Sequence, residues 1–158
     1  MSDQVPTSRV SRGSKLGKAA ATQAARTTSA RVSMIGRSSE TKARISEKTA
    51  LQAAEAAAEE GRSLEVVDLR TVSPLDLDPV YESVRRTGRC VVVHEAAVTL
   101  GLGAEIAARV TETCFHSLEA PVLRVGGYDT PYPPSKLEEE YLPDLDRVLD
   151  AVDRSMGF

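Results

Sequence analysis

The sequence predicts an α/β protein, a three-layer α/β/α domain with a mostly parallel sheet of four to five strands. Two observations carry this. Apolar runs without polar alternation, above all Cys90-Val91-Val92-Val93, read as strands buried on both faces. Between them lie stretches whose apolar residues recur at helical spacing, so strands and helices alternate along the chain. Parallel strands joined through helices take right-handed crossovers, which puts helices on both faces of the sheet.

Residues 1–30 are rich in Ser, Thr, Ala and Arg and almost free of large apolar side chains. They read as a basic, disordered tail, since they cannot bury enough surface to offset their ordering entropy; the domain proper is residues 31–158. Charge follows the same division. Residues 1–48 hold ten basic groups against three acidic ones, and residues 49–158 hold ten against twenty. The tail's cations are scattered, with no aromatic platforms between them, which favours a solvated tail over a nucleic-acid arm.

The domain opens with a short strand at Arg31–Gly36. An alanine-rich helix over Ser46–Glu60 follows, with Leu51, Ala54 and Ala58 expected on its inward face and Gly61 as its left-handed stop. Leu64–Leu69 is the next strand. After a turn at Thr71–Pro74, Asp78-Pro79 predicts a helix capped by the aspartate, with Val80 and Val84 inward and Gly88 at its end. Cys90–Val93 is the central strand. The helix from Gly103 to about Leu118 buries Ile106, Ala107, Val110 and Cys114. Ala120–Val125 is the last strand, and Gly126–Pro134 an extended loop. Ser135 with Glu138 predicts a capping box, and Pro143 starts a final helix with Leu145, Val148, Leu149 and Val152 on one face.

No apolar run approaches the roughly 18 residues needed to cross a bilayer, and no secretory h-region is visible. Cys90 and Cys114, with no CxxC spacing, are expected as buried free thiols in a cytoplasmic protein. The two histidines lie far apart without nearby cysteines, so no metal site is expected, and the acidic run Glu138–Glu140 has no calcium-loop spacing.

The stretch from Val93 to Gly103 is where a site would lie, outside the carboxyl end of the central strand. His94 and Glu95 are its titratable pair, but strand neighbours point to opposite faces and do not address one substrate atom. Gly101 and Gly103 invite a dinucleotide reading; the pattern's third small residue falls on Ile106, and the glycines stand seven residues beyond Val93. No catalytic, cofactor-binding or metal residue is assigned. His94, Glu95, Gly101 and Gly103 are kept as an interface or strand-end site.

Beyond these patterns, SLEVVDLRTVSPLD, VVVHEA, GAEIA, APVLRV and LEEEYLP stand in an order that resembles one family. It is the C-terminal, transketolase C-terminal domain-like part of the E1 beta subunit of 2-oxo acid dehydrogenase complexes. The likeness covers about residues 48–155, and VTLGLGAEIA with RVGGYDTPYPPSKLEEEYLP looks closer to the branched-chain type. Residues 15–47 match poorly, so the family's edge strand, at Ala19–Ala25 here, is a weak feature. The resemblance implies a non-catalytic assembly domain that packs with an E1 alpha subunit and docks an E2 acyltransferase. It also implies that thiamine diphosphate and magnesium, the parent enzyme's cofactors, sit against a pyrimidine-binding domain not seen in this sequence. The chain alone, a free-standing or truncated copy, is expected to be inactive and to bind no cofactor. Apolar surface that the family buries against partners would favour self-association. The alternative is a stand-alone α/β ligand-binding module with an effector at the Val93–Gly103 strand end.

Overall fold

A computed structural model describes residues 32–34 and 44–158, with side chains from residue 48 onward. The expected tail and the strand at Ala19–Ala25 lie outside the described residues. Four strands, β1 (Val32–Met34), β2 (Val66–Asp68), β3 (Val91–Ala97) and β4 (Leu123–Gly127), form one parallel sheet in the order β2-β1-β3-β4. Five helices accompany them: α1 (Arg44–Glu59), α2 (Asp78–Thr87), α3 (Leu102–Cys114), α4 (Glu138–Tyr141) and α5 (Leu145–Met156).

β3 explains why there are three layers. Its alternate side chains enter two separate cores. Val91 and Val93 join Ala50 and Ala53 of α1, Val125 of β4, and Val148, Ala151 and Val152 of α5. Cys90, just before the strand, and Val92 join Val80 and Val84 of α2 and Ile106, Val110 and Cys114 of α3. A strand buried on both faces has no polar side to display, hence its unbroken apolar run. Each valine so buried contributes roughly 1.5–3 kcal/mol of transfer free energy.

Several expectations need correction. α1 turns Ala50, Ala53 and Ala57 inward, one position away from the expected Leu51, Ala54 and Ala58, and Leu51 is 47% exposed. The smallest side chains let α1 approach the sheet, and an alanine-rich helix has little polarity contrast to fix its face. At α2 the aspartate that accepts from the helix start is Asp76, from the Asp78 amide at 3.1 Å; Asp78 is already in the first turn. Gly61 and Gly88 take the left-handed conformation as expected, at φ 77° and 72°.

β3 runs through His94 and Glu95 to Ala97, beyond the expected end at Val93, and its register with β4 shifts between Val93 and Ala97. β4 likewise takes in Gly126 and Gly127, which the sequence placed in a loop. No side chain caps α4, so the Ser135–Glu138 box does not form. α5 starts at Leu145, and the Asp144 carboxylate accepts from the Arg147 amide at 2.8 Å. α3 ends at Cys114 and passes into a short 3₁₀ turn, Phe115–Ser117.

Candidate functional site at the carboxyl ends of β3 and β4

The order β2-β1-β3-β4 reverses direction between β1 and β3, and open parallel sheets bind ligands outside the carboxyl ends of strands at such a point. Residues 35–43, which follow β1, lie outside the described residues. The described side of this region consists of the ends of β3 and β4, the turn into α3, and the segment from Tyr128 to Tyr141.

Strand alternation sends His94 to the α3 side, where Val92 also packs. Its ring is 3% exposed, and neither ring nitrogen has a hydrogen-bond partner among the described residues. Three glycines make room for it. A Cβ on Gly103 would stand 2.3 Å from Nε2; one on Gly101 would stand 2.9 Å from Cε1, and one on Gly126 would stand 3.1 Å from it. Gly101 has a second constraint, since its Cβ would meet the Ala97 carbonyl oxygen at 2.1 Å. These glycines come from the turn, from α3 and from β4, so the slot is a tertiary feature.

Burial holds the His94 pKa below its ordinary value, and the charge of Arg124 lowers it further; the Ala96 carbonyl, outside good hydrogen-bonding geometry, partly opposes both. The ring is therefore neutral at physiological pH. The space a diphosphate would need against Gly103 is filled by this imidazole, which removes the dinucleotide reading of the two glycines.

Glu95 belongs to a different group, near Tyr132. The Tyr132 hydroxyl donates to the Glu138 carboxylate, and that hydrogen bond, with lesser effects of burial and of the charges on Glu138 and Glu95, pushes the phenol up to about 12. Tyr141 packs edge-on against both Tyr132 and Tyr128, with ring centroids 5.1 and 6.4 Å apart, and the Arg147 guanidinium lies 4.5 Å over the Tyr128 ring. Gly127 leaves room for Tyr141, whose ring atoms would lie 2.4 Å from a Cβ there.

The turn between β3 and α3 is tied to this group. The Asp129 carboxylate accepts from the Thr99 amide at 3.0 Å and from the Thr99 hydroxyl at 2.6 Å, which holds the Asp129 pKa below the usual carboxylate range. Next to Thr99, Leu100 has φ 60° and is 96% exposed. A leucine in the left-handed region is uncommon, and here it presents its whole side chain outward. Tyr128, Tyr132 and Leu137 are also half exposed or more.

Of the four residues singled out in the sequence, His94, Gly101 and Gly103 meet in one slot and Glu95 faces away from it. Gly126, Gly127, Asp129, Tyr132 and Tyr141 went unnoticed as site residues. The glycine doublet was the available signal, since glycine within a strand often marks a close approach by another group. Among the described residues, no group of three or more His, Cys, Asp or Glu side chains is placed to hold a metal ion, so magnesium finds no fitting donor set there. No described helix is long and apolar enough to cross a membrane.

Comparison with known proteins places this arrangement. A pyruvate dehydrogenase E1 component subunit beta of Leifsonia xyli subsp. xyli is 62% identical over 109 residues, covering 69% of this chain and 32% of that protein. A 3-methyl-2-oxobutanoate dehydrogenase subunit beta of Mycobacterium tuberculosis is 55% identical over 107 residues, with coverage of 67% and 31%. A 2-oxoisovalerate dehydrogenase subunit beta of Pseudomonas aeruginosa is 50% identical over 109 residues, with coverage of 68% and 31%. The chain thus spans about a third of the length of these relatives, which include both pyruvate and branched-chain types. Among solved structures, a split-gene transketolase in an inactive beta4 tetramer superimposes with a TM-score of 0.62 at 28% identity, over 82% of this chain and 39% of its own. Residues 45–148 match the family model of the transketolase C-terminal domain, and the chain belongs to that family.

Proposed function

We propose that this chain is an assembly domain of a 2-oxo acid dehydrogenase E1 beta subunit, contributing to E1 packing and to docking of an E2 acyltransferase rather than to chemistry. The observation that carries this reading is the 50–62% identity to E1-type beta subunits over about a third of their length. The surface gives it support. Leu100, Tyr128, Tyr132 and Leu137 stand exposed around the ends of β3 and β4, where the turn is pinned by Asp129. Large apolar side chains held rigidly outward suit a protein contact. Partners in this reading are an E1 alpha subunit and E2, and thiamine diphosphate with magnesium acts in the assembled enzyme, on residues other than those described.

The test is co-purification of the chain with an E1 alpha subunit and an E2 acyltransferase, beside an assay of the chain alone on 3-methyl-2-oxobutanoate with thiamine diphosphate and magnesium. Complex formation that Leu100→Asp weakens, with no turnover by the chain alone, is the expected result. Turnover without a partner, or no association with either protein, overturns the reading.

A further inference from the structure

Neighbouring residues of the turn between β3 and α3 have opposite surroundings. Leu100 stands outward on the contact surface, while Gly101 closes one side of the slot that buries His94. Gly103, in the first turn of α3, closes another side. The backbone just beyond Leu100 therefore lies against the imidazole, and a movement of the ring out of its slot displaces that backbone.

The slot suits a neutral ring. An imidazolium carries two N–H donors, and neither nitrogen of His94 has a hydrogen-bond partner among the described residues. The charges around it have the wrong sign. α3 begins at Leu102 with no side chain capping it, so the positive end of its dipole lies beside the ring. Arg124 of β4 adds a cation. The carboxylates of the neighbouring elements do not offset this. Asp78 of α2 and Glu105 of α3 are exposed, Glu95 faces the other side of β3, and Asp129 is engaged by Thr99.

The other end of the turn is held from outside the slot. The Val98 amide donates to the Gly127 carbonyl at 3.2 Å, the Arg124 guanidinium donates to the Val98 carbonyl at 2.9 Å, and Thr99 is tied twice to Asp129. Those two bonds lower the Asp129 pKa, so its carboxylate stays ionised throughout the range in which a histidine titrates. Leu100, at φ 60°, has a conformation that a leucine keeps only under constraint. A charge on His94 thus loosens Leu100 to Gly103 and leaves Val98 and Thr99 pinned.

We infer that His94 is a proton-operated latch on this turn: neutral, it seats Gly101 and Gly103 and fixes Leu100 for a protein partner; protonated, it leaves the slot and frees Leu100. The latch is closed above about pH 6.5 and opens as pH falls through the lowered folded value. Docking weakens over the same range. That last step rests on the contact surface proposed above; the latch itself does not.

The chain has no tryptophan, so Leu100→Trp places a single indole on the turn. Its fluorescence anisotropy, followed from about pH 7.5 to 5, should fall in a one-proton transition with a midpoint below about 6.5. His94→Leu in the same chain should abolish the transition, with far-ultraviolet circular dichroism checking the fold. Should that variant not fold, nuclear magnetic resonance of His94 decides, in a chain where His116→Gln leaves it as the only histidine. The midpoints of ring and indole must coincide. Affinity for the partner found by co-purification should fall at least about fivefold from about pH 7.5 to 5.5, and His94→Leu should remove most of that dependence. Anisotropy that does not change with pH, that changes equally in His94→Leu, or whose midpoint differs from the ring's overturns the inference, as does an affinity independent of pH. Absence of any partner overturns the proposed function instead, and the indole, which needs no partner, still decides the latch.

Discussion

Gly103 and His94 are matched in shape: the space where any other residue at 103 would carry its Cβ lies 2.3 Å from the imidazole Nε2. The ring cannot yield by moving outward, because Gly101 and Gly126 hold it from two other elements. Gly103→Ala should therefore destabilise the fold by about 1–3 kcal/mol, the usual cost of overpacking, despite alanine's better helix propensity. Urea unfolding measures this. In a His94→Ala background the same substitution should be neutral or stabilising. Equal costs in both backgrounds would refute the match.

The burial of His94 also predicts a pH dependence. Its folded pKa lies below the ordinary 6.5, so below that pH the unfolded chain takes up a proton that the folded chain refuses. Stability from this group is complete above about 6.5 and is lost as pH falls toward the lowered folded value, with a slope of at most about 1.4 kcal/mol per pH unit. His94→Leu should flatten the stability profile between pH 5 and 6.5 relative to the parent chain, about the range in which an ordinary histidine titrates. Carboxylates contribute to both profiles, so the difference between them is the quantity to read.

The parts of this site differ in how far the sequence showed them. The valines of β3, and the spacings Val80/Val84 and Ile106/Val110/Cys114, are local patterns that burial enforces, and they stand in the fold as the periodicity implies. The alanine face of α1 was one residue off because small side chains mark no side of a helix strongly. Gly126 and Gly127 looked like chain breakers, and their reason lies far away in sequence, in His94 and Tyr141. The Ser135–Glu138 box failed through a similar competition, since the Glu138 carboxylate accepts from Tyr132. Short-range signals were legible; space reserved for a distant side chain was not.

Tyr132 gives a spectroscopic test of that competition. With its phenol pushed up to about 12, it should remain protonated in the folded chain where an ordinary tyrosine, with a pKa of about 10, has ionised. Glu138→Gln removes the charged acceptor and should lower this pKa. An ultraviolet titration at about pH 10.5, with circular dichroism checking that both chains remain folded, should then show more phenolate in the variant than in the parent. Identical titrations would place the Tyr132 hydroxyl away from Glu138. The sign for stability is the reverse of the histidine case: the contribution is complete below about 10 and is lost as pH rises toward 12.

Arg89 joins three parts of the chain and predicts which substitution can replace it. It precedes β3 and is 8% exposed; its Nε donates to the Ser155 carbonyl at 2.8 Å and its Nη1 to the Glu119 carboxylate at 2.5 Å. Ser155 lies in the last turn of α5, where carbonyls lack partners within the helix and a cation is favoured. One planar guanidinium thus satisfies a buried helix end and a carboxylate at once. A lysine ammonium keeps the charge but lacks the fixed fork that reaches both. Arg89→Lys should therefore cost about 1–3 kcal/mol, most of it from the poorly satisfied carbonyl. Glu119→Gln, at a carboxylate 62% exposed, should cost no more than about 1 kcal/mol. Denaturant midpoints of the two variants decide this. A lysine variant as stable as the parent would show that the positive charge, and not the fork, holds the end of α5.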